Sequence, residues 1–577
     1  MDPHLQLNRA DVIVLGDSPG KGIGVFAQRA LIPGDLVHEE RFPLVAVTAT
    51  RRVDLASCGW CLAPRHLPQR ELGRSASGNS ASCCAGCRRI AYCSDACKDA
   101  DARTHSKECR ALPEAGARNA VRLAARFIWA CEKGDHRESL SVGQLTSELG
   151  QPGGVALKSR YFQISRAEQR RLQKDAEAVQ ALMPISHKLR EVEALDTLAE
   201  LICLLETHAL AVGTEEGSLG LALFPRTAAF NHSCAASCVV SFRPDPGIGC
   251  AASVRTIRHV APGEELTICY IDPLAARPER QLALLEDFGF ACACERCSPE
   301  GVCRPLEQGL VGLACPGPAC DGSIGEWRPL EGFSSHTAGA RLVCAACGEL
   351  RGAISAAQQA VLGAADDAFE KGAQHYRDQR PAQALPLLRQ SLELRRGVGG
   401  LHAAHLGTLE ALDLAARAAL ATGAWAGATE LLAELVAARR CLQPVVGYGP
   451  GVDSFDVAML LVDLGRASLE VAGTSGRRDG AVAVAARQVA CRALREAVAA
   501  LELGLPDRPS LLQDVRGLRR EAEAGLETEV GGGKASPGGI VEGAGCLYPA
   551  AEGEAVWLHF GVPRDCRELE NIGFAAR

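Results

Sequence analysis

Seven cysteines and one histidine fall between residues 58 and 109 at spacings that few folds can use. They read Cys58-x2-Cys61, Cys84-x2-Cys87, Cys93-x3-Cys97 and His105-x3-Cys109. Zinc takes four soft or borderline ligands in a tetrahedron, and a C-x2-C turn sets two sulfurs on one ion. At this cysteine content about one C-x2-C pair is expected by chance, so a lone pair means little. The chain has four, at 58/61, 84/87, 294/297 and 344/347, three of them joined to further cysteines at short spacing. Eight ligands in one run predict two ions in a single finger. Cys83 adjoins Cys84, and Cys84 is the better ligand because it keeps the two-residue spacer to Cys87. Leu62 to Ser82, rich in Arg, Ser and Gly, reads as a surface loop in which His66 is a solvated histidine.

The rest of the cysteines set the compartment. Twenty-six cysteines accompany a start, Met1-Asp2-Pro3-His4, without the basic-then-apolar pattern of a secretion signal. Metal binding in a reducing compartment follows, with a cytoplasmic and/or nuclear location. No apolar run long enough for a membrane span is present. A net charge of −7 argues against a global nucleic-acid footprint. The finger differs locally: residues 58–110 carry nine Lys/Arg against five Asp/Glu, a surplus of four.

Outside the finger, Val12–Leu15, Gly20-Lys21-Gly22-Ile23-Gly24 and Val25-Phe26-Ala27 read as strand, glycine loop and strand. The loop lacks G-x-G-x-x-G spacing and no βαβ unit follows, which excludes a dinucleotide fold. After the finger come Asn231-His232-Ser233-Cys234, then Gly263-Glu264-Glu265-Leu266 closing on Tyr270, then Cys292-x-Cys294-x2-Cys297.

The eight-ligand run, with Tyr92-Cys93-Ser94 and the closing His105…Cys109, resembles a MYND zinc finger. The glycine loop, the NHSC run, the GEEL-xxx-Tyr run and the cysteine triplet resemble a SET lysine methyltransferase. A MYND finger between the two SET halves marks the SMYD family, and the likeness covers residues 12 to about 300 in order. It implies a multidomain α+β protein: a β-rich SET fold split by the finger, a post-SET zinc segment and an all-α, TPR-like C-terminal domain. It also implies cross-braced ions, with Cys58, Cys61, Cys93 and Cys97 on one and Cys84, Cys87, His105 and Cys109 on the other. Cys234 would join Cys292, Cys294 and Cys297 on a third ion. S-adenosylmethionine would lie against Lys21, Gly22, Ile23 and Gly24, with Asn231, His232, Tyr270 and Phe290 as further contacts. Tyr270 would be catalytic and Phe288 would line the lysine channel. Its substrate would be a protein lysine, histone or non-histone. MYND fingers in general bind proline-rich peptides or DNA, and both stay open here.

This chain departs from the family pattern at three places. Ala235, Ala236 and Ser237 follow NHSC where a Pro-Asn pair is usual, and Phe288 stands where a tyrosine is usual. Thr207 or His208 replaces an asparagine before the second SET half. These departures keep a second reading alive, a SET and MYND zinc-binding scaffold with weak or no turnover.

Further on, Cys315-x4-Cys320 and Cys344-x2-Cys347 form two knuckles that look like a zinc ribbon and a fourth ion. From about 355 the chain turns Ala/Leu/Glu/Arg-rich. Gly372 and Ala384, then Ala416 and Ala428, keep a twelve-residue spacing that suits paired antiparallel helices, as in TPR arrays. The expected division is therefore 1–57 SET N-terminal half, 58–109 finger, 110–218 helical insert and 219–283 SET C-terminal half. It continues with 284–303 post-SET, 304–354 ribbon, 355–529 helical domain and 530–577 glycine-rich linker and tail.

Overall fold

The computed structural model describes residues 11–531 apart from 49–56, 64–81, 112–117, 132–156, 158, 184–191, 215–216, 246, 299–303, 316–319, 321–322, 326–341, 345–346, 349, 352–354, 398–399, 450–452, 476–479 and 505–508. The loop expected at Leu62–Ser82, with His66, and the tail at 530–577 fall almost wholly outside these residues.

Three small sheets make the β-rich half. Strands β1 (Ile13–Ser18) and β2 (Gly22–Ala27) form a hairpin. Its turn needs Gly20 and Gly22, both at positive φ, where a side chain would be strained. Strands β3 (Leu36–Glu40) and β4 (Val45–Thr48) follow, and β5 (Ser82–Cys83) with β6 (Ala91–Tyr92) belongs to the finger. After the insert come β7 (Leu210–Thr214), β8 (Gly217–Leu223), β9 (Asn231–His232), β10 (Cys238–Asp245), β11 (Gly249–Thr256) and β12 (Glu265–Ile268). The strand orders are β1-β2-β12-β9, β10-β11-β3 and β4-β8-β7. Each sheet thus mixes strands from before and after the finger. A single core of Val25, Val37, Val47, Phe224, Phe230, Val254 and Leu266 joins all three.

Helix α1 (Asp95–Ala111) completes the finger, and α2 (Asn119–Cys131) leads back to the sheets. The two meet through buried charges. Arg122 and Arg126 donate to Glu108, Arg126 also reaches Asp101, and the Tyr92 hydroxyl donates to Asp101 at 2.9 Å. Helices α3 (Arg166–Leu182, capped by Ser165) and α4 (Val192–His208) pack on α2. Helix α5 (Arg277–Ala283) runs into a wider turn at Leu284–Phe288, and α6 (Arg304–Gly309) follows. A ribbon of β13 (Leu313–Ala314), β14 (Ser323–Gly325), β15 (Leu342–Cys344) and β16 (Leu350–Arg351) comes next.

The described residues beyond it are mostly helical: α7 (Ala356–Arg377), α8 (Pro381–Arg396), α9 (Leu406–Ala421), α10 (Trp425–Leu442), α11 (Phe455–Ser475), α12 (Gly480–Gly504) and α13 (Pro509–Gly531). The small residues sit where helices cross. A Cβ on Gly372 would come 2.8 Å from Leu388 on α8, and Ala384, Ala416 and Ala428 are fully buried. The array also touches the β half, since a Cβ on Gly34 would lie 2.7 Å from Leu503 of α12.

Two of the expected boundaries fall inside elements of the structure. Strands β7 and β8 form a hairpin from Leu210, so a boundary at 219 falls inside β8. The five residues Leu210–Thr214 follow a helix directly and do not alternate in polarity, so periodicity gives no strand signal there. At the other end α5 runs on into the wider turn Leu284–Phe288, so a boundary at 283 falls within one continuous helical path.

Candidate functional site

Four ligand clusters form among the described residues. They are Cys58/Cys61/Cys93/Cys97, Cys84/Cys87/His105/Cys109, Cys234/Cys292/Cys294/Cys297 and Cys315/Cys320/Cys344/Cys347, each with ligand atoms within 4.8 Å of one another. Around a tetrahedral zinc with bonds of about 2.3 Å, sulfurs should lie about 3.8 Å apart. The observed separations are 3.6 Å for Cys61–Cys93, 3.6 Å for Cys84–Cys109, 3.5 Å for Cys234–Cys297 and 3.6 Å for Cys320–Cys344. These donor sets fit zinc. The finger is cross-braced, and Cys84 takes the ligand position while Cys83 points to solvent. His105 offers Nε2 to its cluster, 3.5 Å from Cys87 Sγ, while Nδ1 faces Glu108 at 3.6 Å. A carboxylate behind a ligating histidine fixes its ring orientation.

The third cluster adjoins the residues expected to do chemistry. Strand β9 lies parallel to β12, with Thr267 opposite Asn231 and Ile268 opposite His232, and β12 pairs with β2 on its other side. That order places the glycine hairpin beside Asn231. The Asn231 amide donates to Glu265 Oε1 at 2.8 Å and to the Ile23 carbonyl at 3.1 Å, and Lys21 Nζ meets Glu265 Oε2 at 2.7 Å. Burial alone would raise the Glu265 pKa. Hydrogen bonds from Lys21, Asn231 and Ser18 outweigh it and hold the carboxyl below its usual range. Gly24 is needed for this closeness: a Cβ there would meet Glu265 Oε1 at 2.6 Å and Asn231 Nδ2 at 3.0 Å.

His232 is buried, which pushes its pKa down to about 3 and keeps the ring neutral. Its Nδ1 accepts from the Tyr270 backbone N–H at 3.1 Å. The rings of Tyr270 and Phe290 lie 5.3 and 5.9 Å from His232, and Phe288 lies 4.9 Å from Tyr270. Tyr270 donates its hydroxyl to the Phe230 carbonyl at 2.7 Å. Burial, with Glu265 nearby, pushes the phenol pKa up, so the hydroxyl stays protonated at neutral pH. The expected cofactor, catalytic and channel residues therefore gather on the β1–β2 turn and β2, on β9, just beyond the end of β12, and on the Leu284–Phe290 stretch. Thr207 bonds its own helix, through Oγ1 to the Cys203 carbonyl at 2.8 Å.

Several participants were not singled out from the sequence. Glu265 organises Lys21 and Asn231, and its place in the Gly-Glu-Glu-Leu run was a usable signal. Behind the third cluster, Arg280 and Arg296 are fully buried and share Glu307 of α6. Arg296 also donates to the carbonyls of Cys234 and Pro273. No local pattern marks these three.

The SET domain family matches residues 22–271. The chain is 27% identical over 289 residues to N-lysine methyltransferase SMYD2-A of Xenopus laevis, covering 49% of this chain and 60% of that protein. It is 27% identical over 291 residues to human histone-lysine N-methyltransferase SMYD3, covering 48% and 60%. Histone-lysine N-methyltransferase ASHR1 of Arabidopsis thaliana is 24% identical over 311 residues, covering 53% and 59%. The chain thus spans about 60% of the length of the curated relatives it matches. With a split sheet, a cross-braced finger and a cysteine cluster at Cys234 in place, the chain matches the SET domain family over residues 22–271 and is similar to the SMYD2, SMYD3 and ASHR1 methyltransferases over about half its length.

Proposed function

We propose that this chain transfers methyl groups from S-adenosylmethionine to the side-chain amine of protein lysines. One observation carries the reading: Asn231, His232 and Tyr270 converge beside the glycine hairpin, under aromatic walls that the third cysteine cluster holds in place. S-adenosylmethionine supplies a methyl on a positively charged sulfonium. Lys21 to Gly24 would approach it through backbone, Asn231 would hold its amino-acid end, and Phe290 would cover the adenine.

The chain's own residues then have defined tasks. A free lysine has a pKa of about 10.4, so the site must receive the neutral amine. Phe288, Phe290 and Tyr270 form a dry wall, and a low-polarity channel disfavours the ammonium. Tyr270 is protonated and hydrogen-bonded to the Phe230 carbonyl, so it orients rather than abstracts a proton. His232 is neutral and engaged by the Tyr270 backbone, so it fixes the tyrosine instead of acting as a base. Orientation of two reactants is itself a large source of rate.

The substrate class, histone or non-histone, a cytoplasmic or nuclear site of action and a proline-rich ligand of the finger belong to the same proposal. The test is calorimetry with S-adenosylmethionine, followed by labelled-methyl transfer onto a lysine peptide library. Binding with transfer supports the reading. Phe288, where a tyrosine is usual, favours a scaffold instead, and binding without transfer to any peptide would decide for it.

A further inference from the structure

The connection between α10 and α11 leaves the helical array and presses into the β half. Gln443–Val446 makes a short 3-10 turn, and Gly447 ends it at φ +103°, a conformation that side chains rarely adopt. A Cβ on Gly447 would lie 2.2 Å from the Ala236 carbonyl oxygen and 2.6 Å from the Ala236 nitrogen. Backbone therefore meets backbone at the peptide joining Ala235 to Ala236. Gly449 donates its N–H to the Ile257 carbonyl at 2.8 Å, and a Cβ there would come 2.9 Å from Arg258 Cα. Val446 and Tyr448 are buried in the helical core, which also takes in Ile257 of the β half. The Tyr448 phenol has Asp456 and Cys269 as its electrostatic neighbours, and Cys269 precedes Tyr270.

The contacted peptide is one step from the site on two paths. Ala235 and Ala236 follow the zinc ligand Cys234 directly. Ser237 then bonds Thr267: its N–H donates to the Thr267 carbonyl at 3.2 Å, and its hydroxyl accepts from the Thr267 N–H at 2.9 Å. Thr267 is the strand partner of Asn231. Residues 235 to 237 are also the stretch in which the family's usual Pro-Asn pair is missing. Two alanines suit a contact in which another backbone, rather than a local side chain, braces the segment.

We propose that Val446–Gly449 is a positioning strap, through which the helical array fixes residues 231–237 and 268–270 in the geometry needed to bind cofactor. Its consequence for binding rests on the methyl-transfer reading; the positioning itself does not. Gly447 touches no reacting atom and acts through the Ala235–Ala236 peptide.

The experiment compares full-length wild type with Gly447→Ala, Gly449→Ala and the control Gly473→Ala, whose added Cβ meets nothing within 4 Å. Two quantities are read: S-adenosylmethionine affinity by calorimetry, and peptide-resolved hydrogen exchange without cofactor. Gly447→Ala is expected to weaken affinity about tenfold or more. It should raise exchange at 231–238 and 268–271 while leaving the finger at 83–109 as in wild type. Gly449→Ala should show the same pattern at smaller amplitude, which keeps the test intact if Gly447→Ala fails to fold. Wild-type affinity with wild-type exchange in both variants overturns the proposal, as does a rise spread evenly over the chain, which would mark an ordinary packing position. If wild type itself binds no S-adenosylmethionine, the methyl-transfer reading falls, and the exchange pattern still decides whether the strap exists.

Discussion

The third and fourth cysteine clusters have the same four-sulfur ligand set and opposite surroundings. The third draws Cys234 from two residues past β9 and the other three from a segment about 60 residues on, and it packs against Tyr270, Phe288 and Phe290. The fourth takes its ligands from the ribbon; among the described residues it packs Cys315, Cys344 and Cys320 together and leaves Cys347 exposed. Charge separates them further. Four thiolates on a zinc ion leave a net charge of about −2, and two buried arginines, Arg280 and Arg296, stand behind the third cluster with Glu307 between them. Burial would lower the Arg280 pKa, but Glu307 and the thiols outweigh it and hold the guanidinium charged. Identical ligand chemistry thus does two jobs. One cluster is part of the site's wall; the other staples a ribbon.

The largest expected effect tests that division directly. Metal analysis should find about four zinc ions per chain, and structural zinc contributes apparent binding energies of about 10–16 kcal/mol. Cys234→Ser and Cys315→Ser should each remove one ion. Cys234→Ser should also abolish S-adenosylmethionine binding by calorimetry, whereas Cys315→Ser should leave it within about twofold. Equal loss of cofactor binding in both variants would erase the contrast.

Next in size is Glu307→Gln. The two arginines are fully buried and would lose their shared carboxylate, and breaking such a pair costs about 3–5 kcal/mol. Denaturant unfolding should show that loss. Metal should leave the third cluster ahead of the fourth when a chelator is titrated in, reversing the order expected for wild type. An unchanged order would mean that the arginines are not the third cluster's support.

What the sequence disclosed follows the same line between local and remote. Zinc ligands are legible because a two-residue spacer is itself the geometry, which is why Cys84 could be preferred to Cys83. Asn231, His232 and Tyr270 were legible because the NHSC and GEEL-xxx-Tyr runs resemble those of SET methyltransferases. The Glu108 partner of His105 lies on the same helix and could have been read from its i+3 spacing. Arg280, Arg296 and Glu307 were not legible, because a buried charge group has no signature until the chain folds. The Gly447 contact spans more than 200 residues, and Ala235-Ala236 read in isolation looked like a loss. Strand β7 was missed because five residues after a helix carry too little pattern.

Tyr270→Phe asks whether the aromatic wall beside the third cluster does chemistry. Turnover should fall 10-fold or more, on the order of 1.4 kcal/mol of barrier, with S-adenosylmethionine affinity nearly unchanged. The lost hydroxyl bonds Phe230 and not the glycine hairpin, so binding and rate should separate. Asn231→Ala should do the reverse, because its amide sits among Ile23 and Glu265. Single-turnover kinetics with calorimetry on both variants reads the split, and a Tyr270 variant at wild-type rate would remove it from catalysis.

The smallest effect belongs to Phe288, half-buried 4.9 Å from Tyr270 and packed against the third cluster. A tyrosine there would add one hydroxyl and narrow the space beside the reacting amine. The added group could hydrogen-bond a lysine nitrogen or a water, holding a partly methylated amine out of line. With phenylalanine the amine would turn more freely, so repeated transfer should be easier. Wild type should therefore yield more di- or trimethyl-lysine than Phe288→Tyr, at similar rates for the first transfer. A shift of a few-fold in product ratio corresponds to about 1 kcal/mol or less in relative barrier. Mass spectrometry of product peptides from both proteins measures it. Monomethyl product alone from both would show that Phe288 supports the cluster without lining the lysine channel, making its wall structural on that side.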